Sequence, residues 1–260
     1  MIFQQIRSAT IKITYGGKRF LIDPWLADKG AFPPIPSPFN ESRNPLVDLP
    51  LPIVEITNVE AVIVTHMHHF DHFDESARKA LSKKLPIFTQ NEKEADDMRG
   101  LGFQKVAALQ DEGVAFEGMT LFHTYGEHGQ GEAAKRNYDA LGLPEEACGV
   151  VFAKPGEPTV YVAGDTVWCD KVKEAIGRHQ PDVVILNAAQ AAFHDNTPIL
   201  MGVDGVHEVA KAAPQAVIIA SHMDAVNHAR LTRKDLKQFI DEKGLASQVK
   251  IPLDGETYTF

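Results

Sequence analysis

An α/β fold in which two mixed β-sheets pack face to face, with helices on the outside, is the class this sequence predicts. Three observations predict it. β-Hairpin signals dominate two separate regions of the chain. Each region is followed by short apolar runs alternating with amphipathic helical segments. Those runs, such as Ala61-Val62-Ile63-Val64, are strand length and end at polar residues. With 260 residues, 44% of them hydrophobic, the chain is long enough to bury a sizeable core as a single domain over 1–260.

The elements follow in order. Residues 10–15 alternate, Gly16-Gly17 signals a hairpin turn, and 19–22 continue the pattern until Asp23-Pro24 ends it. Between 30 and 52 fall seven of the sixteen prolines, Pro33, Pro34, Pro36, Pro38, Pro45, Pro50 and Pro52. That density forbids a regular helix or a central strand. A loop this long reads as a flap or edge of a pocket, because the hairpin before it is too small to be a domain. Residues 61–64 are a buried strand. Residues 74–84 read as a helix with acidic residues first and lysines last, as the helix dipole prefers. Residues 85–89 form a strand, and Asn91 with Glu94 caps a helix ending near Gly100-Leu101-Gly102. Hairpins follow at 114–124, around Glu117-Gly118, and at 149–163, around a Pro-Gly turn. Then come a helix at 170–179, a strand at 183–186, a helix at 204–213, a strand at 216–220, and a helix capped by Thr232 that runs to Gly244.

Composition excludes several classes. The net charge of −9 argues against a broad phosphate-binding surface, so nucleic acid is not the expected partner. No apolar run approaches the ~20 residues that span a membrane. The start M-I-F-Q-Q-I-R lacks a basic-then-apolar signal pattern. Cys148 and Cys169 make no disulfide framework and read as buried free thiols of a reduced, cytoplasmic protein. A small-molecule substrate is expected; a homo-oligomer stays open.

The chemistry concentrates in T-H-M-H-H-F-D-H-F-D, directly after the strand at 61–64. His66, His68, His69, Asp71 and His72 place four imidazoles and a carboxylate within seven residues. Imidazole and carboxylate are the usual ligands of zinc, manganese and iron. Four more polar residues stand at predicted strand ends: Asp23 in L-I-D-P, His128 in Y-G-E-H-G, Asp165 in A-G-D-T and His222 in A-S-H-M-D. A strand-end Asp alone is commonly a turn or cap residue.

Taken together, these residues resemble the metallo-β-lactamase superfamily pattern. That pattern is an Asp after the first hairpin, then H-x-H-x-D-H, a His, an Asp in a G-D-T-like turn and a late strand-end His. The run carries one extra residue: T-H-x-H fits at 65–68 and H-x-D-H fits at 69–72, out of register by one. Within the superfamily, I-R-S-A-T-I-K-I-T-Y-G-G, F-L-I-D-P-W-L and A-G-D-T-V-W are similar to the ascorbate-phosphate lactonase-like branch. The resemblance implies a four-layer αββα sandwich and two divalent metal ions, Zn2+ first, with Mn2+ or Fe as alternatives. It implies His66, His68 and His128 on one ion, Asp71, His72 and His222 on the other, and Asp165 on both. If the extra residue lies between the first two histidines, His69 replaces His68. Asp23 would support the site through hydrogen bonds.

The function implied is a metal-dependent hydrolase attacking a small ester, lactone or phosphoester with metal-bound hydroxide. Asp71 is the candidate to hold or accept the water proton, and His228 or His194 to protonate the leaving group. His123, within a strand, competes with His128; His179 and His207 lie on predicted helices and read as structural. Trp25, Phe32, Phe39 and Trp168 are candidates to wall a pocket, with 30–52 and 190–202 as its loops. Two further classes remain: an iron-dependent oxidoreductase on the same ligands, and a non-catalytic protein with a degenerate metal site. A nucleic-acid hydrolase of the superfamily fits the acidic charge poorly.

Overall fold

The computed structural model describes residues 1–35, 37 and 40–260. Two seven-stranded sheets face each other. In the first, β1 (Ile2–Arg7), β2 (Thr10–Tyr15) and β3 (Lys18–Ile22) pair antiparallel. β4 (Ala61–Val64), β5 (Pro86–Thr89) and β6 (Lys105–Ala108) then continue parallel from β3. The second repeats the plan. β7 (Val114–Phe116), β8 (Met119–Tyr125), β9 (Cys148–Ala153) and β10 (Val160–Val162) are antiparallel. β11 (Val183–Asn187), β12 (Val217–Ser221) and β13 (Val249–Lys250) run parallel beyond β10. β14 (Thr257–Thr259) returns to the first sheet beside β1.

Strand side chains alternate between two apolar layers, which is why the parallel strands read as unbroken apolar runs. Ile63 and Ile22 meet Val150, Val162 and Ile185 of the other sheet. Val62 and Val64 point the other way, into a core with Ala77 of α2 (Glu75–Ala80) and Met98 of α3 (Glu92–Gly100). Across the molecule, Val184 and Leu186 pack against α5 (Asp170–His179), α6 (Val203–Ala212) and α7 (Arg233–Glu242) through Val172, Val209 and Leu236. The result is the predicted four-layer αββα sandwich.

Caps set the helix starts. The side chains of Asn91 and Thr232 accept from the backbone N–H of Glu94 and Asp235. Asp74 caps α2 in the same way, but that helix ends at Ala80, short of the predicted 84. Leu81 leaves the helix in an extended conformation and is buried in the outer core. The short α1 (Ile53–Ile56) and the longer α4 (Gly131–Leu141) were not predicted, and neither were β1, β6, β13 and β14. No helix of the described residues is long and apolar enough to cross a membrane.

Candidate metal centre

β3 and β10 each have one antiparallel and one parallel neighbour. At such a switch the loops diverge and leave a crevice at the carboxyl ends of the strands. The polar strand-end residues gather there. Asp23 follows β3, His66 follows β4, Asp165 follows β10, Asn187 ends β11, and His222 follows β12. The turn before Asp165 requires glycine: Gly164 has φ +69, and a Cβ there would collide with the Cys148 carbonyl. Three residues that are not glycine also take left-handed backbone here, Ser8 (φ 55), Asp23 (φ 48) and His222 (φ 69). Such strain persists only when the surroundings over-determine it. The Ser8 carbonyl accepts from the His222 N–H at 3.2 Å, the Ser221 hydroxyl at 2.9 Å and the Gln5 amide at 2.9 Å.

Two groups of donor atoms result. One comprises His66, His69, His128 and Asp165, the other Asp71, His72 and His222, each with its atoms within 4.8 Å of one another. Asp165 joins them. Its Oδ2 lies 3.1 Å from His72 Nε2, 3.5 Å from His128 Nε2 and 3.9 Å from His66 Nε2. Its Oδ1 lies 3.8 Å from His222 Nε2 and accepts from the Asn187 amide at 2.6 Å.

The other ring nitrogens are held from outside. His72 Nδ1 lies 3.0 Å from Asp23, and His128 Nδ1 donates to the Ile199 carbonyl at 2.9 Å. The Thr65 and Ser8 hydroxyls lie 3.2 and 3.3 Å from Nδ1 of His66 and His222. Four rings therefore turn Nε2 inward. His69 instead presents Nδ1, 3.4 Å from His128 Nε2. Asp23 is itself fixed by the Thr65 N–H at 2.7 Å and the Thr65 hydroxyl at 2.8 Å.

Charge follows from this packing. Burial disfavours a charged His72, but Asp165 and Asp23 outweigh it and hold its pKa well above the usual value. Burial likewise opposes the charged form of Asp165, yet His72 and His222 keep it well below the carboxylate range. His66 goes the other way: burial, then the neighbouring imidazoles, hold it neutral.

At one position the run differs from the first expected ligand set. His68 stands outside both groups, with Nδ1 3.7 Å from Glu94 Oε1. Glu94 Oε1 accepts from the Met67 N–H at 3.2 Å and the Gln90 amide at 2.7 Å, which anchors the start of the loop. Two residues therefore separate the first two inward-facing histidines of the run, and His69, not His68, joins the group around Asp165.

A cavity of about 400 Å³ opens on the groups, lined by Asp71, His128, Asp165, His222 and His228. Its walls are largely apolar: Ile35, Phe70, Tyr138, Leu141, Leu143 and Phe193. Ile35 belongs to the proline-rich loop, and Ala192 to Leu200 of the second predicted loop contribute another wall. Asn227 ties the first loop down, with its amide donating to Ile35 O and Asn40 O at 2.8 Å each. His228 is buried, which pushes its pKa down to about 4, and its Nδ1 has no hydrogen-bond partner. It is therefore neutral at pH 7. His194 lines the cavity but is exposed.

The remaining candidates lie elsewhere. His123 pairs with Asp111 at 3.1 Å and lines a different cleft. His179 packs on Phe122, and His207 on Phe239. Trp25 is fully buried beneath Phe70 and Arg7, and Trp168 packs on the outer core; neither lines the cavity. Phe32 stacks on Phe70 at 4.5 Å, one layer behind the wall. Phe39 lies outside the described residues. Sequence reasoning missed Asn187, Tyr138 and Asn227. Asn187 had a signal, since it ends an apolar run as the other site residues do.

The residues fit divalent metal ions. His66 Nε2 is fully buried, faces Asp165, and has no hydrogen-bond partner. Buried imidazoles around two buried carboxylates are the donor set of zinc, manganese and iron.

Comparison with known proteins agrees. Residues 18–223 match the beta-lactamase superfamily domain. UPF0173 protein YddR of Bacillus subtilis is 45% identical over all of both chains. A UPF0173 metal-dependent hydrolase of Aeropyrum pernix is 22% identical over 97% of this chain and 94% of its own length. Among solved structures, the isothiocyanate hydrolase from Delia radicum gut bacteria superposes with a TM-score of 0.93 at 42% identity, covering 100% of this chain and 99% of its own. A possible metal-dependent hydrolase from Veillonella parvula gives a TM-score of 0.93 at 40% identity, with the same coverage. In fold, in the clustered histidines and carboxylates, and in likeness over its full length, the chain belongs to the beta-lactamase superfamily as one of its metal-dependent hydrolases.

Proposed function

We propose that this metal-dependent hydrolase holds two divalent ions, zinc or manganese before iron, and cleaves a small, largely apolar electrophile. An organic isothiocyanate is the leading substrate class, ahead of esters, lactones and phosphoesters. The observation that carries the reading is Asp165, which belongs to one group of donor atoms and lies 3.1 and 3.8 Å from His72 and His222 of the other, at an apolar cavity. The isothiocyanate choice is supported by 42% identity to a hydrolase of that name over its full length. The walls of Phe70, Leu141, Leu143 and Phe193 suit an apolar substituent.

His66, His69 and His128 would hold one ion, Asp71, His72 and His222 the other, and Asp165 both. When bound, such ions polarise the bond under attack and bring the pKa of water toward ~7. Asp71 lines the cavity and can hold a water molecule or take its proton through a carboxylate oxygen. His228, neutral at pH 7, can accept that proton at Nδ1 and deliver it to the nitrogen of the C=N bond. Water adds across the C=N bond of R–N=C=S, its oxygen to carbon and a proton to nitrogen. The thiocarbamic acid formed then separates into an amine and carbonyl sulfide. The buried free thiols Cys148 and Cys169 suit a reducing, cytoplasmic setting.

The test combines metal content with turnover, on protein purified without chelator. Two equivalents of zinc or manganese, with loss of benzyl isothiocyanate and release of benzylamine, support the reading. Turnover of a lactone or phosphoester alone would move the substrate class. Iron as the resident metal would turn attention to oxidoreductase chemistry.

A further inference from the structure

We infer that Tyr138 contacts the substrate, its hydroxyl donating a hydrogen bond to the sulfur or oxygen carried on the carbon under attack. This rests on the reading of the cavity as the substrate site. Tyr138 sits on α4, lines the cavity and is 2% exposed. Its hydroxyl is buried without a hydrogen-bond partner. An unpaired buried hydroxyl costs stability, so native proteins rarely keep one without a use.

Packing explains the ring and not the oxygen. The ring stands edge-on to Phe193 at 4.9 Å and tilted against His128 at 5.7 Å. Ala189, Ala191, Ile199 and Leu200 complete its surroundings. Phenylalanine would fill the same space. His128 belongs to the group around Asp165, so a ligand whose reacting carbon reaches that group lies beside this ring.

Besides the free ring nitrogens of His228 and His68, several donors at the centre are already committed. His128 Nδ1 is committed to Ile199, His72 Nδ1 faces Asp23, and His222 Nδ1 faces Ser8. The walls beyond Tyr138 are apolar along Leu141, Leu143 and Phe193. A site of this composition fixes its ligand through a small number of placed polar groups, and Tyr138 supplies one.

The test uses the metal-loaded protein and its Tyr138→Phe variant with two probes. O-methyl N-benzylthiocarbamate carries nitrogen, sulfur and oxygen on one carbon, as the product of water addition does. Propylbenzene has similar bulk and no heteroatom. Calorimetry is expected to show thiocarbamate binding weakened roughly 3- to 10-fold in the variant, the worth of one hydrogen bond, with propylbenzene unchanged. Thermal unfolding of the ligand-free variant is expected at a higher temperature than wild type, because an unpaired hydroxyl has been removed. A purely structural tyrosine would give the opposite shift. Equal thiocarbamate affinity in the two proteins, no binding to wild type, or a lower unfolding temperature for the variant would each overturn the inference. Wild type that binds the thiocarbamate more tightly than Tyr138→Phe does, yet fails to consume benzyl isothiocyanate, would sink the substrate reading and leave the tyrosine hydrogen bond standing.

Discussion

The two sheets contribute to the centre in contrasting ways. The first sheet supplies His66, His69, Asp71 and His72 from one loop after β4. The second supplies His128, Asp165 and His222 one at a time, after β8, β10 and β12. A single loop can absorb an extra residue by shifting which histidine faces inward, as it does between His68 and His69. Isolated strand-end residues have no such neighbour to replace them. The run is conspicuous and adaptable; the scattered residues are inconspicuous and positioned by the sheet.

Substitutions can break or sharpen this contrast. The largest effect is expected at Asp165, which faces imidazoles of both groups. Asp165→Asn removes a charge faced by four imidazoles and is expected to lower metal affinity and turnover by more than about 100-fold, beyond the range for supporting residues. Elemental mass spectrometry and steady-state rates would read it; retention of two ions at full occupancy would refute the shared role. Next comes the pair in the run. His69→Ala is expected to lose one metal equivalent, while His68→Ala keeps both, because His68 faces Glu94. The reverse pattern in the metal content would show that the loop rearranges on binding. The smallest effect is expected at Asp23, which touches His72 from outside. Asp23→Asn should weaken metal binding by about 10- to 100-fold while preserving stoichiometry at saturating metal, as competition with a chelator can measure.

Much of the fold was legible because short-range chemistry marks it. Asn91 and Thr232 start their helices where cap residues should, and Gly16-Gly17 makes the first hairpin. The missed elements lack those marks. β1 hides its alternation because Gln5 is fully buried, its amide held by the Ser8 carbonyl and Ser221. α4 starts at Gly131 without a side-chain cap. Its stripe of Ala134, Tyr138 and Leu141 was the available signal. β13 and β14 are only two and three residues long, and tertiary pairing alone defines them.

The candidate site was legible as a set of residue types at strand ends, with both His68 and His69 in view. The carboxylate nearest the outward-turned His68 is Glu94, 25 residues beyond His69 in the chain and buried beside the loop. The cavity walls come from α4 and two loops that meet only in the folded molecule. Tyr138 and Asn227 carry no local pattern that sets them apart.

The most direct test is a crystal structure of the metal-loaded protein with anomalous diffraction at the absorption edge of the resident metal. Two peaks are predicted, one among His66, His69 and His128, the other among Asp71, His72 and His222, with Asp165 contacting both. A single peak, or a peak ligated by His68 in place of His69, would contradict the two-group centre.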